Sequence, residues 1–403
     1  MRVGINGIGV AGPALAYWLD RFGHEPVLFE TAPALRTGGY VIDYWGLGYD
    51  LAERMGIVGE LRQRGYFIHR LEMVDAAGRS TATLRVDPLR DAMGDRFVSV
   101  ARSDLSAAVF AACAEVPSNF GVSIDAVAQD PDGVDVTLSD GRTDRFDVVV
   151  GADGLHSGIR ALEFGPEDRF ERPLGCVVSA FRVRGYPHRD ELAYVSHTVK
   201  KRQVARVALR DDETLFLLIC RDDVVDVSTL DSATLDREAE QKAALRSAFG
   251  DLAWEVPEIL DRMDDASDFY VDRVSQIHLD RWSTGRVALV GDAAACASLL
   301  AGEGTGLAMV EAYVLAGELH RHQGDIGAGL RAYEERLRAF IEKKQRSALG
   351  FRGFFAPRTA LGLAVRSLGV RAASIPFLAR AMLPGSLRDS LELPNYEDAA
   401  PKQ

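Results

Sequence analysis

The chain reads as an α/β protein in which a parallel-sheet unit is interleaved with a second, β-rich unit and followed by C-terminal helices. Three observations lead there. A glycine-rich turn joins an apolar strand to a helix over residues 2–22. Two later apolar runs, 147–150 and 287–290, each lead into a glycine and then an acid. Between them, residues 173–221 are rich in Val, Phe, Tyr and Leu with polar punctuation, as antiparallel strands are.

Taken in order, residues 2–8 form a short buried strand, 11–22 the following helix and 26–30 a second strand, a compact βαβ unit. Residues 47–64 read as one helix, with Leu51, Met55, Ile57 and Leu61 at roughly one-face spacing. The pattern over 69–86 is strand-like and runs into a charged turn at 87–95. Helix returns over 103–116, with Ser103 in the N-cap position. Residues 121–140 alternate, with turns at Asp132-Gly133 and Asp140-Gly141. Two helical stretches near 234–264 precede a strand near 268–278, and helices are expected over 304–319 and 326–351. No repeat or low-complexity linker separates the units, which favours interleaving over a serial arrangement.

Composition removes several functions. The 47 Lys+Arg against 59 Asp+Glu leave a net charge of −12, which disfavours a broad face for nucleic acid or anionic lipid. Cys113, Cys176, Cys220 and Cys296 are scattered, with no CxxC pair and no His at ligand spacing, so neither a disulfide framework nor a metal site is expected. The first residues carry no signal-peptide pattern, and no apolar run approaches the ~20 residues of a membrane span. A cytoplasmic location is therefore expected. Between 336 and 388, eleven Lys+Arg face a single acid, Glu342. Solvent-facing sides of helices packed over the unit junction account for them better than a membrane surface, because Pro357, Pro376 and Pro384 interrupt any long amphipathic face. Residues 395–403 are expected to fray.

Three motifs carry chemistry. Gly7-Ile8-Gly9-Val10-Ala11-Gly12 follows a strand and opens a helix. Gly7 permits the tight turn, Gly9 lets the backbone approach a pyrophosphate, and Gly12 allows close helix–strand packing, with the helix N-terminus facing the phosphates. Glu30 closes the second strand, where an acid accepts hydrogen bonds from a ribose diol. A glycine-rich turn of another α/β fold is the plainer alternative. The second motif, Gly151-Ala152-Asp153-Gly154, leads to a short helix carrying Arg160, and Asp153 as a helix N-cap explains it equally well. The third runs from Gly291-Asp292 to Gly302-Glu303-Gly304-Thr305-Gly306. An Asp at the strand end suits a polyol hydroxyl, and the glycines bring amides and a helix N-terminus beside a bound ring, favouring an anionic, electron-rich one. A capped loop does not explain three alternating glycines.

In this order and at these separations the motifs resemble the FAD-dependent group A aromatic monooxygenases. This is the para-hydroxybenzoate hydroxylase-like family, which includes tetracycline-inactivating and polyketide-tailoring hydroxylases. The resemblance covers roughly residues 1–355. It implies a Rossmann-like FAD-binding domain of residues 1–70, 97–165 and 280–350. Interleaved with it is a β-sheet substrate domain of residues 71–96 and 166–279, and a C-terminal helical tail follows over 351–403. It places Gly7, Gly9, Ala11 and Gly12 at the FAD pyrophosphate, Glu30 at the adenosine ribose, and Asp153 between FAD and the nicotinamide cofactor. Asp292 falls at the ribityl chain, with Gly302, Gly304 and Thr305 beside the ring. Arg102, in the run VARSDL, matches a family arginine set against the FAD. Residues 38–45 resemble the segment that passes the isoalloxazine ring, which puts Asp43, Tyr44 and Trp45 at its edge; a turn leading into a helix is the plainer reading.

The implied reaction is monooxygenation. NADPH or NADH, as a transient co-substrate, reduces FAD; O2 then forms a C4a-hydroperoxyflavin that passes one oxygen to a bulky aromatic or polyketide-like small molecule, by hydroxylation or Baeyer–Villiger insertion. No side-chain catalyst is required and none is assigned; His188, His197 and His278 are candidate bases for a phenol. Phe181, Tyr194, Phe216 and Leu218 are expected on the pocket floor or in the strand core. A FAD-dependent reductase or dehydrogenase, and a non-catalytic flavin-containing binding protein, are the alternatives. Monomer and homodimer stay open. Two departures from the family pattern stand out. Thr31 follows Glu30 where an arginine is usual, leaving Arg36 as the candidate cation. Ala295, Ser298 and Leu299 replace the His and prolines of the third motif.

Overall fold

The computed structural model describes every residue except 37, 67, 88–95, 232–236, 267, 374–390 and 397–403. The chain opens with β1 (Arg2–Asn6), α1 (Ala11–Arg21) and β2 (Glu25–Glu30). Next come β3 (Val41–Trp45), α2 (Gly46–Arg54) and α3 (Val58–Arg64). The helix expected over 47–64 is thus two, because Gly56 takes a φ of +77° just after the first and a left-handed residue stops a helix. The hairpin β4 (Arg70–Val74) and β5 (Ser80–Arg85) follows; nearly all of the expected charged turn lies outside the described residues. β6 (Phe97–Ala101) runs straight into α4 (Arg102–Ala111). Ser103 is therefore not the cap: Ala101 holds that position and makes no side-chain bond.

Short strands β7 (Ser118–Phe120), β8 (Ile124–Gln129), β9 (Val134–Leu138), β10 (Thr143–Phe146) and β11 (Val148–Gly151) lead to α5 (Gly158–Glu163). The β-rich middle is β12 (Glu171–Arg184), β13 (Ala193–Val199), β14 (Arg202–Ala208) and β15 (Glu213–Arg221). It continues with α6 (Arg237–Phe249), α7 (Val256–Asp261) and β16 (Asp268–Ile277). The last part holds β17 (Ser283–Thr284), β18 (Val287–Leu289), α8 (Asp292–Ala295), α9 (Gly304–Arg321) and α10 (Ile326–Ala348). The short α11 (Phe351–Phe355) and α12 (Ala360–Ala373) follow.

Two large sheets organise these elements. The first runs β17-β18-β11-β1-β2-β7. β1 lies parallel to both neighbours, with Val3 opposite Val148 and Pro26. Its central strands β1, β11 and β18 are nearly continuous apolar runs, as a parallel sheet covered on both faces requires, and α1 and α9 pack together with Trp18 edge-on to Tyr313. The second sheet runs β16-β12-β15-β14-β13-β4-β5, so it draws strands from both sides of β6–β11.

Side chains alternate across that second sheet. Val177, Phe181, Phe216 and Leu218 pack with Leu245, Phe249 and Ile259 of α6 and α7. Ala180, Tyr194 and Leu217 face Tyr40 and Val41 instead, and Val178 and Ile219 face Leu299, Leu300 and Phe355. Of the four residues expected at a pocket floor or in the strand core, Phe181, Phe216 and Leu218 are therefore helix-covered core, and Tyr194 alone packs on the opposite face, against Tyr40 and Val41.

Of the residues expected to fray, 397–403 lie outside the described residues, while the segment reaching Tyr396 is held in place. Tyr396 is fully buried. Its hydroxyl donates to Glu318 Oε1 at 2.6 Å, Tyr313 donates to the Pro394 carbonyl at 2.8 Å, and Arg321 lies over its ring. A Cβ at Gly317 would come within 2.2 Å of that ring. The basic residues of α10 are ion-paired in part: Arg336 with Glu318, Arg338 with Glu334, Lys344 with Glu303. Among the described residues, no helix is long and apolar enough to cross a membrane, no acid, His and Cys cluster is set for a metal, and the four cysteines are buried and free.

Candidate cofactor and substrate site

The first motif closes on the second. Gly7 has φ +118°, and a Cβ there would meet the Ala152 carbonyl oxygen at 2.4 Å; one at Gly12 would meet the Gly7 oxygen at 1.9 Å. Above Gly9 nothing lies within 4 Å, so the backbone is open to a ligand at that point. α1 begins at Ala11 with no side-chain cap, which leaves its first amides and the positive end of its dipole to an anion. Glu30 sits at the end of β2, accepting from the Ile8 and Ala32 amides at 2.9 Å each. Arg36 reaches to 4.0 Å from Glu30 with its guanidinium mostly in solvent.

In the second motif the Asp153 carboxylate is already committed. It accepts from Asn6 Nδ2 at 3.1 Å, Ser157 Oγ at 2.5 Å and the Ile159 amide at 3.1 Å. Ser157 is the N-cap of α5, accepting from the Arg160 amide. Arg160 is completely buried and donates to Glu167, the Leu155 carbonyl and the Ala293 carbonyl, so it bolts this motif to the third. His156 stands between Asp272 and Glu167, whose hydrogen bonds, Asp272 first, hold its pKa up to about 10.

The third motif turns at Gly291, φ +65°, whose amide donates to Glu311 Oε2 at 2.7 Å. Glu311 is buried within α9, and desolvation pushes its carboxyl well above the usual range. Asp292 then lies beside the start of α9, its Oδ1 3.6 Å from where a Cβ of Gly304 would be. α9 lacks a side-chain cap, and Gly302, φ +69°, has nothing within 4 Å of a would-be Cβ; Thr305 follows in the first turn. Gly48 abuts Gly306 so tightly that a Cβ would come within 2.6 Å, which brings β3 and α2 against this motif. A small cavity of about 30 Å³ opens there, lined by Asp43, Trp45, Gly302, Glu303, Leu307 and Lys344 among others. Asp43 accepts from Ser99 Oγ at 2.6 Å, and desolvation of its carboxyl raises its pKa. Tyr44 points the other way, into the core, donating to the Gly48 carbonyl. It nevertheless lines the same cavity as Asp43 and Trp45.

The junction of the two large sheets is the candidate substrate cleft: Tyr40 and Val41 stand on one side of it, Tyr194 and Leu217 on the other. Arg102 donates its amide to the Tyr40 carbonyl at 3.0 Å, and Gly39 donates to Asp268 Oδ2 at 3.2 Å, tying this segment to β16. The Tyr40 phenol is pushed up to about 12, by burial first and against the pull of Arg102, with Asp292 acting the same way as burial. Tyr270 shares that environment from the opposite sheet. Sequence reasoning quoted Tyr40 without singling it out and passed over Tyr270, which has no motif around it. The candidate bases do not converge on the cleft: His197 bonds the Val74 carbonyl beside Trp254, His188 pairs with Glu258, and His278 bonds Gln276.

A parallel sheet with a glycine turn, two uncapped helix ends and an acid at a strand end defines a flavin-dependent monooxygenase when comparisons with known proteins are added. A family model described as a FAD binding domain matches residues 2–348. A flavin-dependent monooxygenase of an unknown prokaryotic organism is 35% identical over 352 residues, covering 86% of this chain and 87% of its own. Another from Legionella longbeachae serogroup 1 (strain NSW150) is 34% identical over 362 residues, covering 86% and 87%. The crystal structure of tetracycline destructase Tet(51) superposes with a TM-score of 0.82 at 31% identity, over 98% of this chain and 99% of that one. The chain belongs to the FAD binding domain family, as a para-hydroxybenzoate hydroxylase-like, FAD-dependent monooxygenase.

Proposed function

We propose that this monooxygenase holds FAD on Gly7, Gly9, Ala11, Gly12, Glu30, Arg36, Asp43, Arg102, Asp153, Asp292, Gly302, Gly304 and Thr305, and oxidises a bulky aromatic or polyketide-like molecule at the expense of NAD(P)H and O2. The supporting observation is the pair of uncapped helix N-termini, α1 and α9, each fronted by a glycine with open space above it and flanked by an acid, Glu30 or Asp292. That donor set suits a dinucleotide: amides for phosphates, carboxylates for hydroxyls. On this reading residues 1–70, 97–165 and 280–350 carry the cofactor, 71–96 and 166–279 the substrate, and 351–403 form the tail.

When bound, FAD supplies electron transfer from NAD(P)H and the activation of O2 for transfer of one oxygen atom. The residues do the rest. The α1 amides bind the pyrophosphate, and Glu30, whose oxygens each keep a second lone pair, accepts from the ribose. Asp292 accepts polyol hydroxyls. The α9 N-terminus stabilises negative charge on the ring. Asp153 acts through the loop it ties to Asn6 and α5. Leu217, Leu299 and Phe355 form an apolar wall that keeps water from the reacting oxygen. The likeness to a tetracycline destructase supports a polycyclic, polyketide-like substrate.

The test is a screen of aromatic and polyketide compounds, tetracycline among them, for stimulated oxidation of NADPH and of NADH, with product mass read for a gain of one oxygen. Substrate turnover without O2 consumption would overturn the proposal in favour of a reductase or dehydrogenase.

A further inference from the structure

The second sheet carries a cation that the proposed flavin site does not use. Arg366 comes from α12, which packs along the edge strand β5. Its Nη2 donates to Gln203 Oε1 at 2.9 Å, and its guanidinium lies over the Phe354 ring, 4.8 Å from the centroid. Its Nε is buried without a hydrogen-bond acceptor. Among the described residues, no carboxylate pairs with it, whereas Arg182, Arg202, Arg206 and Arg210 around the same sheet bond Asp268, Asp251, Glu255 and backbone carbonyls respectively. Desolvation lowers its pKa, opposed only by Tyr194. A half-buried guanidinium with no counter-charge is costly, and its fork of donors matches two coplanar anionic oxygens.

The neighbours connect it to the cleft. Gln203 is fully buried; it accepts from Thr198 at 3.0 Å and donates to the Tyr194 hydroxyl at 2.9 Å. Tyr194 packs in the same patch as Tyr40 and Leu217, on the sheet face turned toward the flavin site. We propose that Arg366, positioned by Gln203, anchors a planar pair of anionic oxygens on the substrate, a carboxylate or an enolised β-diketone, at the end of the cleft remote from the flavin. This rests on the cleft being the substrate site of the proposed monooxygenase. It makes the C-terminal helix a specificity element.

The experiment measures binding of three probes to the FAD-loaded full chain by calorimetry. They are 1-hydroxy-2-naphthoate (carboxylate), 2-acetylcyclohexane-1,3-dione (enolate at neutral pH) and 1-naphthol (neutral). Whichever anion the site takes should bind at least about tenfold more tightly than 1-naphthol, the worth of one charge-assisted pair. Arg366→Gln should remove that preference while leaving 1-naphthol affinity and the flavin spectrum in place, and Arg366→Lys should restore part of it. Equal losses for all three probes, or no preference for either anion in the unmodified chain, would overturn the proposal. Because binding needs no turnover, a charge-dependent affinity without stimulated NAD(P)H oxidation would count against the monooxygenase reading alone.

Discussion

Asp292 and Glu30 are the side chains on which the proposed cofactor contacts depend most. Replacing either with Ala should weaken FAD binding by roughly ten- to a hundredfold, since a hydrogen bond to a charged group contributes about 1.5–3 kcal/mol; titration of the flavin-free protein by flavin fluorescence measures this. Glu311 behaves differently. Burial favours its neutral form, and a Gln side chain still offers an oxygen to the Gly291 amide. A carboxyl raised on folding binds its proton more tightly in the native state, so its contribution is lost as pH rises above the ordinary carboxylate pKa, about 4.3. Glu311→Gln should therefore gain in thermal stability relative to the unmodified chain between pH 5 and 8, and a difference that does not grow with pH would contradict this. The glycines were legible at this scale because φ and close approach leave them little alternative. Glu311, Tyr270 and Arg366 were not, since what distinguishes them is burial without an obvious partner, and one chain's sequence carries no mark of that.

Elements were legible where periodicity was strong, as in α1, α9 and α10 and the parallel strands. Errors came where a local cue outvoted the pattern. Gly56 divides the 47–64 helix, and β6 passes into α4 without a capping side chain, so Ser103 is left inside the helix. The segment ending at Tyr396 was misread for a different reason: its anchors, Tyr313, Gly317 and Glu318, lie some eighty residues earlier. Tyr396→Phe should cost about 1.5–3 kcal/mol through the lost bond to Glu318. Gly317→Ala should cost more, because a methyl group has nowhere to go; denaturant unfolding reads both. His156 joins the loop of the second motif to β16 through Asp272. Its folded pKa, about 10, exceeds the unfolded value near 6.5, so the bridge stabilises fully below pH ~6.5 and is lost as pH rises through 10. Solvent exposure limits the effect of His156→Gln to about 1 kcal/mol or less, and it should vanish at the alkaline end of a pH series of melting temperatures.

At the scale of the molecule, three short motifs far apart in the chain converge because β1, β11 and β18 are neighbours in one parallel sheet. Ligands gather beyond the carboxyl ends of such strands, and that is why motif order foretold the family. The second sheet was legible as β-rich, but which of its faces turns to the cleft depends on register, and a shift of one residue would exchange them. Phe181 and Phe216 went to α6 and α7 on that account, and Tyr194 and Leu217 went to the face that meets Tyr40. The central claim is that this cleft couples NAD(P)H and O2 to oxidation of a small molecule. Turnover under 18O2 with NAD(P)H and a substrate from the screen tests it most directly. One 18O atom in the product and no product without oxygen is the expected result; label drawn from water, or product formed anaerobically, would contradict it.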